Sequence, residues 1–181
     1  MKYHSKIVVC AVVLFLFARE VAFSQSEEKV INEPKIYFGL GMGLDYGGIF
    51  GLKAEFLPLK HFGIFGGVGY NLTPTVGWNA GVTFKTLPNK RVSPNLMAFY
   101  GYNAVLKIDG ASEYDATSYG ISFGVNVDVK IKRNKFTFGL FVPIRSGSFN
   151  EIYNAAKKDP RVIFKNELLP IGFGIGFNFG I

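Results

Sequence analysis

The 181-residue chain predicts an all-β fold: an eight-stranded antiparallel up-and-down transmembrane β-barrel with a short helix in its last long loop. Three observations predict it. Large apolar residues alternate with glycine or polar residues in segment after segment, which is the spacing of a strand with two unlike faces. The apolar face is rich in Phe and Ile while the opposite face is small or polar, as in a barrel with lipid outside and a narrow lumen inside. Beyond the N-terminal segment, no apolar run approaches the roughly 20 residues that a membrane helix needs, so any crossing is made by strands.

The C-terminal segment shows the pattern without interruption. Ile171, Phe173, Ile175, Phe177, Phe179 and Ile181 point one way, and Gly172, Gly174, Gly176, Asn178 and Gly180 the other. Earlier segments repeat it. In the first, Phe38, Leu40 and Met42 alternate with Gly39, Gly41 and Gly43. A turn at Asp45 to Gly48 leads to the second, with Phe50, Leu52, Ala54 and Phe56 against Gly51, Lys53 and Glu55. Leu57 to Lys60 breaks the run. The third places Phe62, Ile64, Val68 and Tyr70 opposite Gly63, Gly67 and Gly69, and Asn71 to Pro74 is the next turn.

The fourth segment sets Val76, Trp78, Ala80, Val82 and Phe84 outward against Gly77, Asn79, Gly81, Thr83 and Lys85. A connector from Thr86 to Pro94 follows. The fifth has Leu96, Ala98, Tyr100 and Tyr102 outward, and Asn95, Phe99, Gly101 and Asn103 inward. After a polar loop at Asp109 to Thr117, the sixth alternates Tyr119, Ile121, Phe123, Val125, Val127 and Val129 with Gly120, Ser122, Gly124, Asn126, Asp128 and Lys130. Lys130 to Asn134 is a tight basic turn, and the seventh carries Phe136, Phe138, Leu140, Val142 and Ile144 outward. Between the seventh and eighth, Arg145 to Asn166 contains Ser148-Phe149-Asn150-Glu151 at capping-box spacing. Phe149, Ile152, Tyr153 and Ala156 fall at helical intervals before Pro160, which predicts the short helix. Aromatic residues near strand ends, Tyr37, Tyr70, Trp78, Phe84, Tyr100, Tyr102 and Tyr119, are expected in interfacial girdles.

The first residues read as an export signal. Lys2 and Lys6 precede an apolar run from Ile7 to Ala18, and Ala22-Phe23-Ser24 supplies small residues for cleavage near Ser24. That divides the chain into a signal peptide at 1–24, a polar leader at 25–34 and a barrel at 35–181. The single cysteine, Cys10, falls inside the signal, so neither a thiol nor a disulfide is expected in the mature chain.

Charge and motifs exclude several function classes. The net charge is +7, but the basic residues are scattered singly rather than set in a stripe, so no nucleic-acid partner is expected. Gly120-Ile121-Ser122-Phe123-Gly124 matches the nucleophile-elbow pattern, yet it lies within a strand and no histidine follows it. Ser122 is therefore expected as a small lumen residue, and His61 as a turn residue. A single mature histidine without cysteine does not predict a metal site, and no cofactor or catalytic residue is expected. The inward polar residues Lys53, Glu55, Asn79, Lys85, Asn126 and Asp128 are the candidate functional set. Inside a narrow barrel such groups must pair or be hydrated, so they are expected to form an ion-paired plug, or else to line a thin water path.

Lys35 to Ile181 resembles the small outer-membrane β-barrels of Gram-negative bacteria, of the OmpA and OmpX kind. The resemblance is carried by the signal peptide, the eight alternating segments and the aromatic-Gly terminal strand, which is similar to the C-terminal signal read by the barrel-assembly machinery. Such proteins usually end in Phe, whereas here Phe179 is followed by Gly180 and Ile181. The resemblance implies a bacterial outer-membrane location, surroundings of outer-membrane lipid and lipopolysaccharide, the barrel-assembly machinery as a partner during biogenesis, and a periplasmic amino terminus. The expected role is structural or surface-interacting and not enzymatic. A small pore for ions or solutes is the alternative, and a lipid-modifying enzyme is disfavoured by the lack of a Ser-His-acid constellation.

Overall fold

A computed structural model describes residues 33–71, 76–162, 164 and 167–181. The signal peptide and the leader up to residue 32 lie outside these, as does most of the turn expected after Asn71. Eight strands form a closed barrel in which each pairs antiparallel with its sequence neighbours: β1 (Ile36–Gly43), β2 (Gly48–Leu59), β3 (Phe62–Tyr70), β4 (Val76–Lys85), β5 (Val92–Leu106), β6 (Ala116–Ile131), β7 (Asn134–Pro143) and β8 (Gly172–Gly180). β1 closes on β8 with Phe38 opposite Phe179 and Leu40 opposite Phe177. Closure leaves no sheet edge unpaired. The rim that carries Ile36 and Gly180 is called the lower rim here.

Period two is realised as two walls. On the outside, directly opposed residues are apolar around the barrel: Leu40 faces Leu52, Val68 faces Trp78, Phe84 faces Leu96, Phe123 faces Val142 and Phe138 faces Ile175. Trp78 lies 6.1 Å from Tyr100 and 6.0 Å from Tyr119, ring centre to ring centre, an aromatic group towards the upper rim. Two aromatic expectations are corrected. Tyr37 is buried inside the barrel, because it has the opposite parity to Phe38. Tyr102 is also buried, since a bulge between Tyr102 and Ala104 and the positive φ of Gly101 (148°) re-aim that end of β5.

On the inside, the glycines make room for chain. The link between β1 and β2 is not a surface turn: Leu44–Tyr46 forms a 3-10 turn that enters the lumen, with Asp45 and Tyr46 buried. Gly47, at φ 77°, reverses the chain out again. A Cβ on Gly51 would lie 1.9 Å from the Tyr46 carbonyl oxygen, one on Gly77 2.0 Å from the Gly47 carbonyl, and one on Gly176 2.2 Å from the Tyr46 hydroxyl. The empty inner face of β1 to β4 and β8 is thus the seat of this loop. Across the lumen, Phe65, Met97, Phe99 and Phe141 fill the space from β3, β5 and β7, with Phe99 and Phe141 packed edge to face at 5.1 Å.

Above the upper rim, β5 and β6 continue as a hairpin against which helix α1 (Gly147–Lys158) packs Phe149 and Ala156. The helix starts two residues earlier than its predicted capping box. Ser146 is the N-cap, accepting from the Phe149 amide at 3.4 Å, and Ser146 N–H is itself held by Ser118 Oγ at 3.1 Å. Past the helix, Asp159 accepts from Tyr114 at 2.9 Å and from the Arg161 guanidinium at 2.7 Å. The Arg161 bonds hold the Asp159 carboxyl well below the usual carboxylate range.

The seating of the loop predicts an asymmetry between glycines. Gly51→Ala should cost about 1–3 kcal/mol by overpacking, whereas Gly66→Ala, on the outer wall with nothing nearer than 3.8 Å, should be neutral. Urea midpoints of the two refolded variants measure this; equal midpoints would contradict the inward loop.

Candidate functional site

All six residues of the predicted lumen set are buried, but they do not form one cluster. Three of them, Glu55, Lys85 and Asp128, converge near the lower rim because β2, β4 and β6 each bring an inward position there. Lys85 Nζ lies 3.5 Å from Asp128 and 3.8 Å from Glu55. Lys53 sits higher and pairs at 2.5 Å with Asp45 of the inward loop. Asn79 donates from Nδ2 to the Leu44 carbonyl, pinning the loop from β4. Asn126 stands apart, with its Oδ1 unpartnered among the described residues.

Several members of the network escaped the sequence reading. Lys135 bridges Glu55 and Asp128, the latter at 2.8 Å, and lies over the Tyr37 ring at 4.4 Å. Its signal was present: it precedes the outward Phe136 and so shares the inward parity of Thr137 two residues on. Glu33, from the leader, reaches up to Lys85 at 2.6 Å and Lys130 at 3.4 Å, closing the lower mouth. No periodicity could have marked Glu33, because it lies outside every strand. Asp45 and Tyr46 were hidden for the same reason.

A directed hydrogen-bond chain joins the two ion clusters. Tyr46 O–H donates to Asn178 Oδ1 at 3.3 Å, Asn178 Nδ2 donates to Thr137 Oγ1 at 3.0 Å, and Thr137 O–H donates to Asp128 Oδ1 at 2.8 Å. Because the Asp128 carboxylate only accepts, Thr137 gives its proton there and accepts from Asn178, which sets the orientation of the amide. Lys53 completes the upper end by lying over the Tyr46 ring at 4.4 Å. The lumen charges balance, with Lys53, Lys85, Lys130 and Lys135 matched by Glu33, Asp45, Glu55 and Asp128. Charges so removed from water need partners at close range and further hydrogen bonds; each of these has an ion partner, and Asp128 gains a further bond from Thr137, while Asp45 Oδ1 has none among the described residues.

Ser122 is buried on the inner face of β6, opposite Phe99. His61 occupies the two-residue turn between β2 and β3 at the lower rim, where its Nδ1–H donates to the Lys85 carbonyl at 2.8 Å and its ring lies 6.1 Å from that of Phe84. No group of three His, Cys, Asp or Glu side chains among the described residues is placed to hold a metal ion.

Balance is the testable property. Lys135→Met should destabilise the barrel by about 3–5 kcal/mol, since it leaves Glu55 and Asp128 buried with the longer contacts to Lys85 in place of the close ones to Lys135. Adding Glu55→Gln should recover a measurable part of that loss in a double-mutant cycle read by urea unfolding. Additive losses would show that Glu55 and Lys135 are not coupled.

Comparison with protein-family models, with curated proteins and with solved structures finds no match to this chain.

Proposed function

We propose that the protein is a sealed barrel of a bacterial outer membrane, a non-enzymatic scaffold whose contacts are made by the loops beyond its upper rim. The observation that carries the reading is the outer wall. Large apolar side chains stand exposed on every strand, with Phe38, Leu52, Val68, Trp78, Leu96, Phe123, Leu140 and Phe173 among them. A monomer in water rarely exposes a contiguous apolar patch beyond a few hundred Å², whereas a lipid-facing barrel requires such a band. Closure supports the same reading, because unpaired backbone groups are expensive in hydrocarbon.

The filled interior favours a scaffold over a pore. Eight strands enclose a narrow space, and here the inward loop, the aromatic cluster and the balanced ion pairs occupy it. The lower rim, with its two-residue turns after β2 and β6 and with both barrel termini, is the side assigned to the periplasm. The upper rim, with the β5–β6 hairpin and α1, is the side assigned to the exterior.

Refolding into lipid vesicles tests the reading. A band that shifts on unheated gels is expected, and Ile175→Arg, at mid-wall between Met42 and Phe138, should cost about 2–4 kcal/mol of folding stability. The same sample in planar bilayers should be silent. Reproducible conductance would overturn the sealed interior, and an unshifted band would overturn the membrane barrel.

A further inference from the structure

A pocket of about 360 Å³ lies where the upper mouth meets the last long loop, in the size range of small-molecule sites, about 300–1,000 Å³. Its walls are apolar: Leu44 from the inward loop, Leu106 from β5, and Phe164, Leu168, Leu169 and Ile171 from the segment after α1. Four polar groups edge it. Tyr153 uses its hydroxyl to accept from the Leu168 amide at 3.1 Å, and Glu167 is exposed and paired with Lys157 at 2.7 Å. The other two each have a buried atom with no hydrogen-bond partner among the described residues.

Arg145 donates from Nη2 to the Leu169 carbonyl, but its Nε is buried and unpartnered, and no carboxylate pairs with it among the described residues. Burial beside apolar side chains lowers its pKa, as expected of a guanidinium without a counter-ion. Asn103 is 98% buried, at 2% relative exposure. Its Nδ2 donates to the Ile144 carbonyl at 2.9 Å, which fixes the amide and leaves Oδ1 as an acceptor with no donor among the described residues. A buried polar atom left in this state costs stability, so the pair points to a ligand that brings both an acceptor and a donor.

We propose that this pocket binds a single-chain amphiphile. Its acyl chain lies against Leu106, Phe164 and Leu168, its anionic head accepts from Arg145 Nε–H, and a head-group hydroxyl donates to Asn103 Oδ1. A free hydroxy acid and a lysophospholipid both have this chemistry. Among the described residues the outer wall has no such polar pair, so ordinary bilayer lipid against the strands does not meet the same requirement. The inference goes beyond the scaffold reading, which would hold with the pocket empty or filled.

The test uses the full barrel in lipid nanodiscs, first checked for its heat-modifiable band; failure there counts against the membrane reading and not against the pocket. The probe is tetradecanoic acid with a diazirine at the chain end, cross-linked by light and mapped by peptide mass spectrometry. Labelling is expected on peptides containing Leu106 and residues 167–169. It should fall about tenfold or more in Arg145→Gln, and equally in Leu169→Trp, which fills the pocket from an exposed position. Competition by 3-hydroxytetradecanoate or by a lysophospholipid supports the proposal and names the source of the ligand. Within the acids, the 3-hydroxy form should compete at a severalfold lower concentration than tetradecanoate, and equal potency would overturn the role of Asn103. Labelling spread over the outer-wall strands and unchanged in both variants would overturn the site.

Discussion

The interior of an eight-stranded barrel is narrow, and the packing of this molecule's lumen answers to that limit. Here the space is occupied by the chain's own first link. Leu44–Tyr46 turns inward, and the strands around it have glycine where a larger residue would collide with Tyr46 or Gly47. Tyr46 then reaches the far side of the lumen through Asn178, Thr137 and Asp128. One hydrogen-bonded path therefore ties the loop to β8, β7 and β6, and the ion pairs of Lys53 and Lys135 stand at its two ends.

Buried ions are weak evidence for stability in themselves, because desolvation offsets their attraction. Their value here is arrangement. The four lysines and four carboxylates come from β2, β4, β6, β7, the leader and the inward loop, so each pairing fixes one part of the wall against another. A slip of one residue in any strand would turn its charged residue towards the outside. The balanced lumen thus reinforces the register that the apolar outer wall already demands.

Much of this was legible in the chain. The outer wall could be read because a uniform apolar surrounding selects every second residue, and Phe173, Ile175, Phe177 and Phe179 meet it without regard to one another. The inner wall was legible only in its parity. That Gly41, Gly51 and Gly176 are small was plain, but the reason is Tyr46, which contacts them across three strands and carries no periodic mark. Tyr37 was misplaced in a girdle when its parity against Phe38 assigned it to the lumen, and Tyr102 depended on a bulge that no alternation encodes. The helix was foreseen from Phe149, Ile152, Tyr153 and Ala156, while its true cap, Ser146, was chosen by its bond to Ser118 on another strand. The convergence of Arg145 and Asn103 on one pocket was likewise invisible, because two whole strands, β6 and β7, lie between them in the chain.

The central claim is that the β1–β2 loop fills the lumen, and nuclear Overhauser contacts in the refolded, isotope-labelled barrel examine it most directly. The account predicts strong cross-peaks from the Tyr46 ring to the α-protons of Gly41 and Gly176, which lie against it. A Tyr46 ring with no contact to either glycine and with cross-peaks to water instead would place the loop outside and contradict the sealed interior.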